Sequence, residues 1–304
     1  MSDLDRHRVQ QESRRVAGLG ATTHYSETIN RYLGIASYAA ERPAEPITTA
    51  RVVATATVLV AVDDTPASYT AVDHAAIEAE LHGWNLRLFH VQHPSGLHQP
   101  SRDDGARLLE QLTDRVHACA PSVAVTSRLA VGSPASLLLS AARDTNLVVV
   151  GHRHGPVSAA FGRSVGDRVA AHHNGVVMVV RMPGWPAGHE FGKLPLVVGI
   201  DPARSETPAV EFALREGAAR GCEVVMLHAD KDATPAARTE TIGGVLVHHR
   251  TVADDPVAVL LETSSKAAAL VVGRRAPGGP PGSLLGWVSR AMVQRASCPV
   301  FLVG

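Results

Sequence analysis

The hydrophobic and polar positions of this chain switch period repeatedly. Valine-rich runs of four or five residues, VLVAV at 58–62, LVVV at 147–150 and VVMVV at 176–180, alternate with longer stretches whose apolar residues recur every three or four positions. The short runs predict buried strands and the longer stretches amphipathic helices. In order, the pattern gives a strand at 58–62, a helix opened by Thr65 and Pro66 and running to about His82, and a strand at 87–91. A helix at about 104–118 and a strand over 122–131 follow, then a helix opened by Ser133 and Pro134 that feeds the strand ending at Gly151. A polar, glycine-broken loop leads to a helix capped by Ser164, with Asp167 three residues on as in a capping box, and then to the fifth strand at 176–180. Strands separated by helices predict parallel pairing and a doubly wound sheet, with any ligand at the carboxyl ends of the strands.

The pattern then starts again. Asp201 follows Asp63 by 138 residues, and His228 follows His90 by the same 138, a constant offset across a strand, a helix and a strand. Gly273 follows Gly151 by only 122, so the second copy is 16 residues shorter, a loss expected to fall on a loop and a helix edge. A duplicated domain is the reading. It gives an N-terminal arm at 1–55, a first domain at 56–181, a Pro/Gly-rich linker at 182–194 and a second domain at 195–304. The fold class is α/β: two repeated doubly wound domains, each a five-stranded parallel sheet of order 3-2-1-4-5 with helices on both faces. Within the arm, 26–40 predicts a helix with Ile29, Tyr32, Leu33 and Ala36 on one face, either packed on its own protein or presented to a partner. VVMVV and PVFLV (299–303) are apolar edge strands that cannot stay unpaired, so they are expected to cover each other in an intramolecular pseudo-dimer.

Composition narrows the function. The chain has 29 basic and 29 acidic residues, which gives no global pull toward nucleic acid or an acidic membrane. Cys119, Cys222 and Cys298 have no paired spacing, and no apolar run approaches a membrane span, so a reducing cytoplasm is the expected compartment. The 16 histidines include His152 and His154 and the neighbours His172-His173 and His248-His249, but no third ligand is spaced to converge with them, and no metal is expected. Cys298 reads as a small buried apolar residue. The glycine loop after the fourth strand, followed by a helix start, is anion-site architecture, for which Arg153, Arg163, Arg274 and Arg275 are candidate phosphate grips.

These residues resemble the universal stress protein family. The likeness is carried by the strand ending Val62-Asp63, the second ending His90-Val91, the Gly132-Ser133-Pro134 turn, VVVG at 148–151 and the helix start after the loop; it covers about 56–181 and 195–304. The family's nucleotide-binding branch uses a glycine loop of the form Gly, two residues, Gly, nine residues, Gly, then Ser or Thr, in which backbone and hydroxyl cradle phosphates. The resemblance carries that role to Asp63, Val91, Gly151, His154, Gly155, Gly162, Arg163, Ser164 and Val165 in the first copy. In the second it carries the role to Asp201, Gly273, Gly286 and Val288. Ala276 stands for a glycine there, Trp287 for the hydroxyl, and Pro277, Pro280 and Pro281 stiffen the loop, so the second copy reads as the more eroded. The resemblance thus implies a non-enzymatic stress-response module binding an adenine nucleotide, ATP, in the first domain. The alternative is an interaction protein that binds no nucleotide and acts on an unknown protein partner through its pseudo-dimer surface and arm. The third reading is a weak ATP hydrolase, although no acid/base pair or metal cage is visible.

Overall fold

A computed structural model describes residues 23–37, 56–93, 101–152, 165–182, 191–201, 207–274 and 285–304. The first half comprises β1 (Thr57–Val62), α2 (Pro66–His82), β2 (Asn85–Gln92), α3 (Arg102–Cys119), β3 (Val125–Val131), α4 (Pro134–Ala141), β4 (Leu147–His152), α5 (Val165–His172) and β5 (Val176–Arg181), preceded by α1 (His24–Ser37). The second half comprises β6 (Leu196–Gly199), α6 (Pro208–Arg220), β7 (Val224–Ala229), β8 (Ala236–Ile242), β9 (Val245–Val252), α7 (Pro256–Ser264), β10 (Ala269–Gly273), α8 (Trp287–Arg295) and β11 (Val300–Val303). The first half has the expected order β3-β2-β1-β4-β5, all parallel. Strand β4 runs two residues beyond the apolar run, through Gly151 to His152.

The second half departs from five parallel strands. Its strands lie in the order β11-β10-β6-β7-β9-β8, six in all, and β8 is antiparallel to β9. The 16 missing residues are therefore not a trimmed edge: the segment equivalent to α3 has become a strand. The cause is local. Gly243 and Gly244 adopt φ of 57° and 85°, the left-handed pair that a two-residue hairpin turn requires, and they fold AARTETI back on VLVHHRTV.

Strands β5 and β11 do cover each other. They pair antiparallel, with Val179 opposite Val300, Met178 opposite Phe301 and Val177 opposite Leu302. The result is one eleven-stranded sheet and not two separate ones. Alternation along its strands feeds two cores, each running through both halves. One face holds α1, α2, α3 and α6 over Val58, Val149, Met178, Val271 and Phe301. The other holds α4, α5, α7 and α8 over Leu59, Val148, Val179, Leu270 and Leu302. Helices α2 and α6 both end on a left-handed glycine, Gly83 (φ 63°) and Gly221 (φ 65°), again 138 residues apart.

Helix α1 packs on its own protein. Tyr25, Ile29 and Tyr32 are buried in the shared core, and Arg31 Nη1 donates to Glu80 Oε1 (2.9 Å) and to the Cys119 carbonyl (3.0 Å). The side chains of Leu33 and Ala36 lie outside the described residues, as do 1–22, 38–55 and most of the linker. Among the described residues no helix is long and apolar enough to cross a membrane.

Candidate functional site

The strand order in each half reverses beside its first strand, where neighbouring crossover connections leave on opposite faces and open a crevice at the carboxyl ends. In the second half that crevice is a cavity of about 480 Å³ between the ends of β6 and β10 and the first turns of α6, α7 and α8. Four of the residues singled out from sequence, Asp201, Gly273, Gly286 and Val288, line it together. A volume in this range suits a nucleoside or nucleotide. Prolines open α6 and α7 at the wall: Thr207 Oγ1 accepts from the Val210 amide (3.3 Å) and Asp255 Oδ1 from the Ala258 amide (3.0 Å), so Pro208 and Pro256 face the cavity in fixed first turns.

Much of the polar rim is engaged by the protein itself. Ser289 Oγ donates to the Gly273 carbonyl (2.6 Å), and the Gly286 amide donates to the Arg274 carbonyl (2.9 Å). Arg274 is 2% exposed and donates to the Gly304 carbonyl (3.1 Å), to the Ala170 carbonyl (2.7 Å) and to the Gly175 carbonyl. The expectation that Arg274 grips phosphate is thus revised: its guanidinium serves the end of α5 in the other half, where carbonyls lacking helical partners attract a cation. Trp287, the first residue of α8, lines the mouth and is 58% exposed.

In the first half, Asp63, Val91 and Gly151 stand at the ends of β1, β2 and β4, and Val165 opens α5. His154, Gly155, Gly162, Arg163 and Ser164 lie outside the described residues, as do Arg153, Arg275, Ala276 and the three loop prolines. Asp63 forms a tight local turn: the Thr65 hydroxyl donates to its carboxylate, and its own amide donates to Ser68 Oγ (2.7 Å). Thr65 holds the N-cap position expected of it, but its hydroxyl is spent on Asp63 and caps no amide. The strand-two histidines are straps: His90 Nδ1 pairs with the Val62 carbonyl (2.8 Å) and His228 Nδ1 with that of Ile200 (3.4 Å), both contacts reproducing the 138-residue offset. The neighbouring histidines diverge, His248 to Glu223 (3.0 Å) and His249 to Glu240 (2.6 Å).

A family model described as the universal stress protein family matches residues 55–181 and 231–304. The chain belongs to the universal stress protein family. Universal stress proteins of Mycobacterium tuberculosis and Mycolicibacterium smegmatis are each 29% identical to it, over 299 and 284 residues; these alignments take in 81% of this chain and 94% and 96% of theirs. A solved universal stress protein of Archaeoglobus fulgidus shares the fold, with a TM-score of 0.64 at 15% identity over 82% of this chain and 96% of its own. The second matched segment begins after β7; β6, α6 and β7 join the second copy through the constant offset and their place in the sheet.

Sequence reasoning missed one constellation. Glu78, His82 and Glu216 present ligand-type atoms within 4.8 Å of one another between α2 and α6, the two carboxylates buried and the imidazole half-buried. Arg220 bonds both carboxylates and His82 Nε2 pairs with Glu216 Oε2 (3.0 Å), so the group is an ion-pair ring. The signal was available: Glu216 follows Glu78, and Arg220 follows His82, by 138 residues. Cys298 is buried as expected, and burial pushes its thiol up to about 12.

Proposed function

We propose that this universal stress protein is a non-catalytic, cytoplasmic module that binds an adenine nucleotide. The observation that carries the reading is the cavity of the second half, in which Asp201, Gly273, Gly286 and Val288 converge at a topological switch point. The first half repeats the frame with Asp63, Val91, Gly151 and Val165 at equivalent places, and its Ser164 supplies the hydroxyl that a phosphate cradle needs, so ATP is assigned to that half. All three cysteines are free thiols, in keeping with a reducing compartment.

The test is calorimetry of ATP, ADP and cyclic AMP on the full chain, beside Asp63→Ala, Ser164→Ala and Asp201→Ala, together with assay of phosphate release. Micromolar ATP binding, weakened by Asp63→Ala and Ser164→Ala and unaccompanied by hydrolysis, is expected. No heat at millimolar nucleotide would overturn the reading in favour of an interaction protein, and turnover abolished by Ser164→Ala or Asp63→Ala would overturn its non-catalytic part.

A further inference from the structure

We propose that the cavity of the second half takes a neutral adenine nucleoside in preference to a nucleoside polyphosphate, an inference that rests on the adenine-binding reading above. Three observations carry it. Arg274 is the one cationic side chain among the described lining residues, and its guanidinium already serves the carbonyls of Gly304, Ala170 and Gly175. Moving it to a phosphate would leave buried carbonyls without their donor, at a desolvation cost that offsets the new contact. Of the two hydroxyls on the wall, that of Ser289 is likewise spent as a donor on the Gly273 carbonyl, whereas Thr207 Oγ1 accepts from the Val210 amide and keeps its proton to donate.

Asp201, the one acidic side chain among those residues, sits at the end of β6 and brings a carboxylate, not a cation, to the wall. A nucleoside meets a different wall: Ile200, Leu227, Leu260, Val272 and Val303 cover a flat base, and a carboxylate suits a sugar hydroxyl or an exocyclic amine. Trp287 stands where the phosphate-binding form of the loop carries a hydroxyl, and its indole supplies an aromatic face at the mouth. Among the described residues, the amide groups of the first turn of α8 and the Thr207 hydroxyl favour an acceptor, and a ring nitrogen or a sugar oxygen satisfies them without the charge.

The experiment isolates this cavity. Trp84 and Trp185 are replaced by Phe so that Trp287 alone reports, and its emission is followed on titration with adenosine and, separately, ATP. Adenosine is expected to perturb Trp287 with an affinity at least equal to that of ATP. In calorimetry on the otherwise natural chain, Trp287→Ser is expected to weaken adenosine binding by about tenfold or more. ATP binding tighter than adenosine at the Trp287 reporter, or adenosine binding unmoved by Trp287→Ser, overturns this proposal and leaves the adenine-binding reading standing. Silence of Trp287 to both ligands, with no heat from either, overturns the reading itself at this cavity.

Discussion

Glu78 and Glu216 occupy the same position in the two copies, 138 residues apart, and meet across the pseudo-twofold axis with one guanidinium, that of Arg220, bonded to both. The ring closes reciprocally: Arg220 bridges to Glu78 of the other half, and His82, its own counterpart, bridges back to Glu216. The Tyr25 hydroxyl oxygen of α1 accepts a hydrogen bond from the same guanidinium, which also lies 4.5 Å over the Tyr25 ring and 5.5 Å over that of Phe301. Duplication thus placed one polar pair of each copy in the shared core. The pairs survive burial because they satisfy one another.

Arg220 is 1% exposed, so Arg220→Ala leaves two carboxylates facing each other without their cation. The expected loss is about 3–5 kcal/mol, read as a lower urea midpoint at unchanged slope. Replacing Glu78, Glu216 and Arg220 together by Leu, Leu and Met is expected to cost far less, because no buried charge remains.

The ring also fixes a pH dependence. Burial pushes the Glu78 carboxyl up to about 8 against the pull of Arg220. In Glu216 the same burial is outweighed by Arg220 and by the hydrogen bond to His82, which hold it down to about 2. For His82, burial is outweighed by its bond to Glu216 and the two carboxylate charges, and its value rises. A raised value stabilises the fold below the ordinary one and loses that contribution as pH climbs through the folded one; a lowered value does the reverse. Glu78 therefore withdraws stability as pH rises from about 4.5 toward about 8, His82 as pH rises above its ordinary 6.5, and Glu216 as pH falls from 4.5 toward 2. Chemical denaturation from pH 5 to 9 should show an alkaline decline on the order of 1–3 kcal/mol. Glu78→Gln, which keeps the neutral form, should flatten it.

Helix α1 is part of the body. Ile29 is wholly buried, and Gly192 of the short turn at Phe191–Lys193 lies so close that a Cβ there would meet the Ser26 Cα at 2.7 Å. Ile29→Ala is expected to cost about 2–4 kcal/mol. Thermal unfolding checks it, and a melting temperature unchanged from the natural chain would refute the docking of α1.

The duplication was legible in the sequence because it rests on period and offset, and the apposition of the fifth strands because apolar edges must be covered. Fusion into one sheet was not: apolar edges say that Met178 and Phe301 must be covered, but not that their backbones pair in register. Strand β8 was legible too, since Gly243-Gly244 between two alternating runs is a hairpin signal, although the repeat by itself points to a helix there. At the cavity, the glycines and Asp201 were found through the motif, whereas Pro208 and Pro256 arrive from first turns, and Leu260 from the next turn of α7, brought in by packing. Arg274 shows the remaining limit. Its charge and place after Gly273 suggested phosphate, and only the approach of α5 from the other copy shows which acceptors it serves.

Gly151 separates a packing role from a ligand role. A Cβ on it would meet the Ala67 carbonyl oxygen at 2.8 Å and the carbonyl carbon at 3.0 Å, and both are backbone atoms of the first turn of α2. That turn cannot yield as a side-chain tip would, so Gly151→Ala must displace the start of α2 and with it the adjoining turn in which Asp63 holds Thr65 and Ser68. The expected outcome is a loss of about 1–3 kcal/mol in urea unfolding, accompanied by weaker ATP binding in the first half. Gly199→Ala is the control. Its Cβ meets Leu260 Cδ1 at 3.4 Å, an ordinary contact, and its stability should stay within about 0.5 kcal/mol of the natural chain. A loss at Gly151→Ala as small as that expected for Gly199→Ala would show that the end of β4 has room for a methyl group after all, and that the glycine there answers to the ligand alone.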